Sequence, residues 1–372
     1  MSNAIDTRVQ ITAEELADQI VAAYALKRPL MIHGSPGLGK SWQAYRAAEQ
    51  LAAAHGLTNV KQLGDAFTPE TDYGYFDVRP VNFGPEEFGL PSLDKERGLQ
   101  VRNPVDWFPS TDRMDLPERG TLIFEEAVSA SPAVQTTMFQ ITHDRRLGDK
   151  KLKPGWQVVL TGNLITDGGV VFKMPTPLAN RMIHVYVRSD LESWTKWAID
   201  YGIEDILVGF VRFRSELLNT FSKHVESKSK DHAFATERTW HIVDDMLKQE
   251  KALDRKLHPA LYAGVVGNGP ATEFNAFRGI WESMPSIDGI LLDPHGSPVP
   301  DKASVRFAVS TALASRATAK TFAAVLAYAD RLPDDYTIMI VKDCMHRKGG
   351  EITSTEAFIR FAATPKYADL LK

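Results

Sequence analysis

Short apolar runs and helix-period segments take turns along the first half of the chain. Thr12 and Glu15 read as a capping box. Leu16, Ile20, Ala23 and Tyr24 then recur at helical spacing until Lys27, Arg28 and Pro29 close the helix. Leu30 to His33 is a four-residue apolar run and predicts a buried strand. A glycine-rich turn follows. Ser41 to His55 then predicts a helix with Tyr45, Ala48, Leu51 and Ala52 on one face and Gly56 as its stop. The stretch from Asn59 to Arg119 is rich in turn residues, with one strand predicted near Tyr75 to Val81. Three further buried strands are predicted at Thr121 to Phe124, Gln157 to Thr161 and Met182 to Val187, with a helix starting near Ser131 and Pro132. Strands separated by helices favour a parallel sheet with crossover connections.

After Asp190 the pattern becomes helical. Helices are predicted at Leu191 to Tyr201, Ile203 to Phe221, Glu237 to Leu253, Pro259 to Met284, Lys302 to Ser315 and Ala319 to Leu332. Two more are predicted at Asp335 to His346 and Ser354 to Ala363. Lys223 to His232 reads as an exposed polar loop and the first twelve residues as a short arm. The expected division is an α/β domain over residues 1–190 and a helical domain over 191–372.

Composition narrows the class. Of 372 residues, 44% are apolar and 24% charged, which excludes a largely disordered, collagen-like or coiled-coil chain. Basic residues number 43 and acidic residues 47, a net charge of −4, so no global basic field marks a dedicated nucleic-acid binder. The single cysteine, Cys344, excludes an intrachain disulfide and is most simply a core residue. No run is long enough to cross a bilayer, and the first ten residues lack an apolar signal core. The expectation is a cytoplasmic protein that does not engage a membrane.

The chemistry starts in the glycine-rich turn. Gly34-Ser35-Pro36-Gly37-Leu38-Gly39-Lys40-Ser41 fits G-x-x-x-x-G-K-[ST] at every fixed position, between a predicted strand and a predicted helix. Glycines let several backbone N–H groups converge on one phosphate, and the helix adds its N-terminal partial charge. Lys40 would neutralise the β and γ phosphates, and the Ser41 hydroxyl would hold Mg²⁺. The strand Thr121 to Phe124 ends in Glu125 and Glu126. One carboxylate serves the metal shell and the next polarises a water. Thr161-Gly162-Asn163 ends the next strand, where Asn163 can reach that water. Arg181, at the approach to the last strand, is by sequence alone either a surface arginine or a stabiliser of γ-phosphate charge.

These four elements, in this order, resemble the AAA+ ATPases and, within them, the MoxR-like branch related to dynein. The resemblance runs over about residues 12 to 335. It is carried most specifically by Ala133-Val134-Gln135, Phe139-Gln140-Ile141, Asp144-Arg145-Arg146-Leu147-Gly148, Gly155-Trp156-Gln157-Val158-Val159 and Met174-Pro175-Thr176-Pro177-Leu178-Ala179-Asn180-Arg181. Phe234-Ala235-Thr236-Glu237-Arg238-Thr239-Trp240 is similar to the family's sensor 2 segment, with Glu where Pro is usual. The resemblance implies a core of five parallel strands, a helical lid and a ring, usually a hexamer, with ATP between subunits. It implies that Lys40, Ser41, Glu125, Glu126 and Asn163 act in cis. Arg181 would serve the ATP of a neighbouring copy, and Arg238 would sense the γ-phosphate from the lid. It also implies a protein client, often a von Willebrand factor A-type protein.

The sequence departs from the family at Glu125, where Asp is usual. The extra methylene advances the first carboxylate by roughly 1.5 Å toward a metal that demands strict octahedral geometry. Val128 and Ser129 stand where relatives often carry Asn-Arg. Phe88, within Phe83 to Leu90, is read either as a pore-facing aromatic or as core. Arg145, Arg146, Lys150, Lys151 and Lys153 form a basic cluster on a predicted hairpin, read either as a solvated tip or as a docking surface. The ten histidines show no metal-ligand spacing. A nucleic-acid motor or loader and a non-catalytic ATP-binding module remain as alternatives to an ATPase that remodels a protein.

Overall fold

The structure is a computed structural model that describes residues 8–89, 91–96, 98–102, 105–164, 167, 172, 174, 176–227 and 231–368. The chain divides into two compact units, Met1–Ser189 and Asp190–Lys372.

The first unit is built on one sheet. Its strands are β1 (Gln10–Ile11), β2 (Leu30–His33), β3 (Asn59–Gln62), β4 (Asp72–Val78), β7 (Arg119–Phe124), β10 (Gly155–Gly162) and β11 (Ile183–Val187). They lie in the order β1-β11-β2-β10-β7-β4-β3, and every pairing is parallel. The expected five strands are therefore seven. The two additions are the sheet edges. β1 is only two residues long and pairs through its backbone with Tyr186 and Val187, so no apolar run announces it. β3 reads Asn-Val-Lys-Gln, an edge strand whose polar residues face water. Two antiparallel hairpins, β5 (Pro91–Asp94) with β6 (Leu99–Arg102) and β8 (Arg146–Leu147) with β9 (Lys150–Lys151), stand apart from the sheet.

Successive side chains of the central strands alternate between two buried layers, as expected for a parallel sheet covered on both faces. Leu30, Ile32, Ile123 and Val159 pack under α1 (Ala13–Ala25) and α2 (Lys40–Ala54). Met31, Leu122, Phe124, Val158 and Leu160 pack on the other side with Val134, Met138 and Ile141 of α3 (Pro132–Asp144). Trp156, fully buried, lies against two glycines. A Cβ at Gly74 would meet its ring at 2.3 Å and one at Gly120 at 2.6 Å. Gly74 and Gly120 are register partners across β4 and β7, so the indole needs both positions bare.

The second unit is all helical. Its main helices follow α4 (Thr176–Ala179) in order: α5 (Leu191–Tyr201), α6 (Asp205–Phe213), α7 (Phe221–Glu226), α8 (Glu237–Leu253), α9 (Pro259–Val266), α10 (Asn268–Ser283), α11 (Ile287–Leu292), α12 (Ala303–Arg316), α13 (Phe322–Ala329) and α14 (Asp334–Lys348). The helix expected from Pro259 to Met284 is two helices. Gly267 takes φ 89°, a conformation other residues reach only with strain, and turns the chain between them. The expected polar loop from Lys223 begins inside α7, with residues 228–230 outside the described ones. Cys344 is buried in α14, where burial pushes its thiol up to about 12. No described helix is long and apolar enough to cross a membrane.

Candidate phosphate-binding and catalytic site

β2, β7 and β10 are adjacent and parallel, so their carboxyl ends come together at one edge of the sheet. The loop Gly34 to Gly39 leaves β2 there and enters α2 at Lys40. Gly37 and Gly39 adopt φ of 84° and 76°, and Gly39 is the N-cap residue without a side-chain cap. The first-turn amides of a 15-residue helix are therefore left to face the loop, together with the positive end of its dipole. Lys40 folds back over the loop, its Nζ donating to the carbonyls of Gly34 at 2.7 Å and Ser35 at 2.9 Å. The Gly34 amide donates to the Gly162 carbonyl at 3.2 Å, which anchors the loop to the tip of β10.

The two glutamates after β7 have opposite fates. Glu125 follows the end of β7 and adds one more backbone bond to β4, its amide donating to Val78 O at 2.8 Å, and the residue is buried at 8% exposure. Thr161 Oγ1 donates to Glu125 Oε2 at 2.5 Å, while Oε1 is buried without a hydrogen-bond partner. Glu126 leaves the strand in the left-handed region at φ 54°, and the turn carries it to an exposed position. Its amide donates to the same Thr161 Oγ1 at 3.2 Å. One threonine hydroxyl thus fixes both carboxylate-bearing residues.

An orphaned buried carboxylate oxygen is costly to keep and is what a bound cation satisfies. The donor set fits Mg²⁺: a hard carboxylate oxygen at Glu125 and the hydroxyl of Ser41, on the first turn of α2, with the remaining positions left for phosphate and water. Burial and then the Glu125 carboxylate push Asp77 above the ordinary carboxylate range. Burial, followed by the same carboxylate, raises the Tyr75 phenol, which donates to Ser41 O at 3.3 Å. Among the described residues no group of three His, Cys, Asp or Glu side chains is placed to hold a metal without further ligands.

The structure brings together the loop from Gly34 to Ser41, Glu125, Glu126 and Asn163, which directly follows β10 and is half-buried. Arg181 lies elsewhere. It precedes β11, whose Ile183 pairs with Leu30 at the start of β2, whereas the phosphate loop leaves the other end of that strand. β2 alone spans about 10 Å. Arg238 is in the second unit, exposed on the first turn of α8, where Thr236 caps the helix and Trp240 is fully buried.

Three site features escaped the sequence reading. In the sequence Thr161 reads only as the end of a strand. Asp167 accepts hydrogen bonds from Ser35 Oγ at 3.2 Å and the Leu164 amide at 2.9 Å, and burial raises it above the ordinary range. His33, the residue before the loop, lies 2.9 Å from His184, and His184 in turn reaches Ala179 O at 2.7 Å. Burial, then the charges of His184, Arg8 and Lys40, hold His33 down at about 4. Two residues of unremarkable type, far apart in sequence, leave no local signal for such contacts.

Phe88 is not a surface aromatic. It is 1% exposed and packs edge-on against Phe83 and Trp107. The basic cluster on the hairpin is also dispersed. Lys153 is buried and donates to Leu116 O and Glu118, Arg145 turns inward, and Lys150 pairs with Asp112. Pro175, within the segment carrying Arg181, lies outside the described residues.

No protein-family model matches the sequence, and no curated protein matches it. Solved structures do. NtrX from Brucella abortus in complex with ATP is similar at 15% identity over 98% of this chain and 70% of that one, with a TM-score of 0.36. ORC2 of Aeropyrum pernix, in ADPNP–ADP complexes, is similar at 13% identity over 94% and 97%, with a TM-score of 0.40. A RuvB mutant of Thermotoga maritima is similar at 14% identity over 81% and 80%, with a TM-score of 0.35. Parallel sheet, glycine loop and the helix that follows it define the first unit as an α/β domain of the P-loop type.

Proposed function

We propose that the protein is a Mg²⁺-dependent ATPase of the AAA+ class, in its MoxR-like branch, that works as a ring of copies to remodel a partner protein. The observation that carries this reading is the split pair at the end of β7: Glu125 buried with a free oxygen, Glu126 turned outward to an exposed position. A pure binding module has no use for the second carboxylate.

In this reading the loop amides and the N-terminus of α2 take the phosphates, and Lys40 exchanges its two carbonyl partners for β and γ oxygens. Ser41 and Glu125 would hold Mg²⁺, which when bound supplies charge neutralisation at the phosphates. Glu126 accepts the proton of a water that Asn163 helps to orient. That water's oxygen bonds to the γ-phosphorus as the bond to the ADP oxygen breaks, giving ADP and phosphate. Arg181, remote from its own loop, serves the site of an adjacent copy. Arg238 contacts the γ-phosphate from the helical unit. A von Willebrand factor A-type protein is the proposed client.

The test is phosphate release with MgATP. Wild type turns over. Glu126→Gln keeps ATP affinity within a few-fold and loses turnover by about 10²-fold or more. Full hydrolysis by Glu126→Gln removes Glu126 from the mechanism, and tight ATP binding by wild type without phosphate release establishes the binding-module alternative. Stimulation by DNA with a steep salt dependence in place of a protein client establishes the motor alternative.

A further inference from the structure

A third carboxylate stands at the phosphate loop, and the ATPase reading gives it no task. Asp167 follows Asn163 by four residues and reaches back to the loop, where Ser35 Oγ donates to its Oδ1 at 3.2 Å. Its Oδ2 accepts from the Leu164 amide at 2.9 Å, and its own amide donates to Leu164 O at 3.0 Å. One oxygen therefore grips the loop and the other closes the turn directly after Asn163.

The turn accounts for only half of this arrangement. Closing it takes an acceptor for the Leu164 amide, which a neutral asparagine supplies as well as an aspartate. The charge and the hold on Ser35 remain to be explained. The charge has a cost, because Asp167 is half-buried and its two donors are neutral. Burial raises it, and the Leu164 amide, the Ser35 hydroxyl and the charge of Lys40 oppose that rise without cancelling it. Ser35 is meanwhile held from its other side, its carbonyl accepting from Lys40 Nζ at 2.9 Å. An anionic oxygen on a loop donor, with the loop lysine bound to the same residue, is the arrangement a phosphate would make.

We propose that Asp167 is a built-in competitor of the phosphates: its carboxylate contends with them for Ser35 and for the charge of Lys40, and withdraws before they seat. The proposal rests on the reading of the loop as a nucleotide site and is independent of hydrolysis and of ring assembly. Charge dictates the withdrawal. A terminal phosphoryl group brings about 1.5 to 2 negative charges. At an effective dielectric of about 20, two like charges about 5 Å apart repel by more than a tenfold change in affinity is worth. Asp167 thereby sets how tightly the loop holds a nucleotide, and its release frees the turn beside Asn163.

The test is calorimetric titration of ATPγS into the full chain at 0.15 M salt, with Mg²⁺ and again with EDTA. Asp167→Asn keeps the shape and can bond both neighbours, so it removes little but the charge. It is expected to bind at least tenfold more tightly than wild type under both conditions, and Asp167→Ala is expected to gain as well. Asp167→Glu, which keeps the charge, is expected to stay within about threefold of wild type. A measurement on the wild-type chain stands apart from any variant. Saturating ATPγS should speed hydrogen exchange at the Leu164 amide at least fivefold, because Asp167 lets go of it. Wild-type binding with no gain in Asp167→Asn and Asp167→Ala overturns the proposal and leaves the nucleotide site standing. Weaker binding by Asp167→Asn with Mg²⁺ assigns the carboxylate to the metal's surroundings and overturns it too. A gain in Asp167→Glu equal to that in Asp167→Asn, or a Leu164 amide equally or better protected with ATPγS, also overturns it. Absence of ATPγS binding in wild type and Asp167→Asn alike defeats the nucleotide reading itself, and the proposal with it.

Discussion

Glu125 carries a cost that the proposed metal would relieve. A buried carboxylate oxygen without a donor destabilises the protein by an amount on the order of 1–3 kcal/mol, and an aspartate here would hold its oxygens further back. Glu125→Gln removes the charge and keeps the shape. It is expected to raise the unfolding temperature of the metal-free protein by a few degrees, about what 1 kcal/mol gives in a domain of this size. The same change is expected to raise the Mg²⁺ concentration for half-maximal turnover at least tenfold. Calorimetry without metal and a Mg²⁺ titration of the rate check the two halves. A variant that is less stable and equally responsive to Mg²⁺ contradicts the assignment. His33 gives a second residue-scale expectation. Its folded value, about 4, lies below the ordinary 6.5, so the unfolded chain binds the proton more readily. The stability this site contributes is present above pH 6.5 and is lost as pH falls toward 4. Urea unfolding of wild type between pH 7 and 4.5 should show that decline, and His33→Asn should flatten it.

At the scale of elements, the packing of Trp156 makes a sharp prediction. A methyl at Gly120 meets the indole and also the Gly74 carbonyl at 2.6 Å, and backbone cannot step aside as a side chain can. Gly120→Ala is expected to cost about 1–3 kcal/mol, read as a lower midpoint in denaturant without loss of nucleotide chemistry in the folded fraction. The elements themselves were legible to very different degrees. β2 and α8 fall where apolar period and capping residues place them, because local signals coincide there with burial. The phosphate loop was legible for the same reason, since its glycines, Lys40 and Ser41 must be contiguous to work. β1 and β3 were not, because edge pairing is made by backbone groups that carry no residue signature. Thr161 and Asp167 were not either, because what distinguishes them is a neighbour supplied by another strand or loop. Phe88 shows the converse: an aromatic in a plausible loop is claimed by the core when Trp107 and Phe83 close over it.

At the scale of the whole molecule, the position of Arg181 decides how the site is completed. β11 runs parallel to β2, so the residue before β11 is on the sheet edge opposite the phosphate loop. If Arg181 acts on a γ-phosphate, that phosphate belongs to another copy, and the contact is head-to-tail, of the kind that closes into rings. The central claim is therefore hydrolysis at a site shared by two copies, and mixing two dead variants tests it most directly. Glu126→Gln lacks the proposed base and keeps Arg181. Arg181→Ala lacks the arginine and keeps Glu126. Each alone is expected to release almost no phosphate from MgATP. Mixed in equal amounts and allowed to exchange, about a quarter of the interfaces pair an intact Glu126 with an intact Arg181, and turnover should reappear in that proportion. A mixture as inactive as its parents, or an Arg181→Ala protein as fast as wild type, contradicts the account.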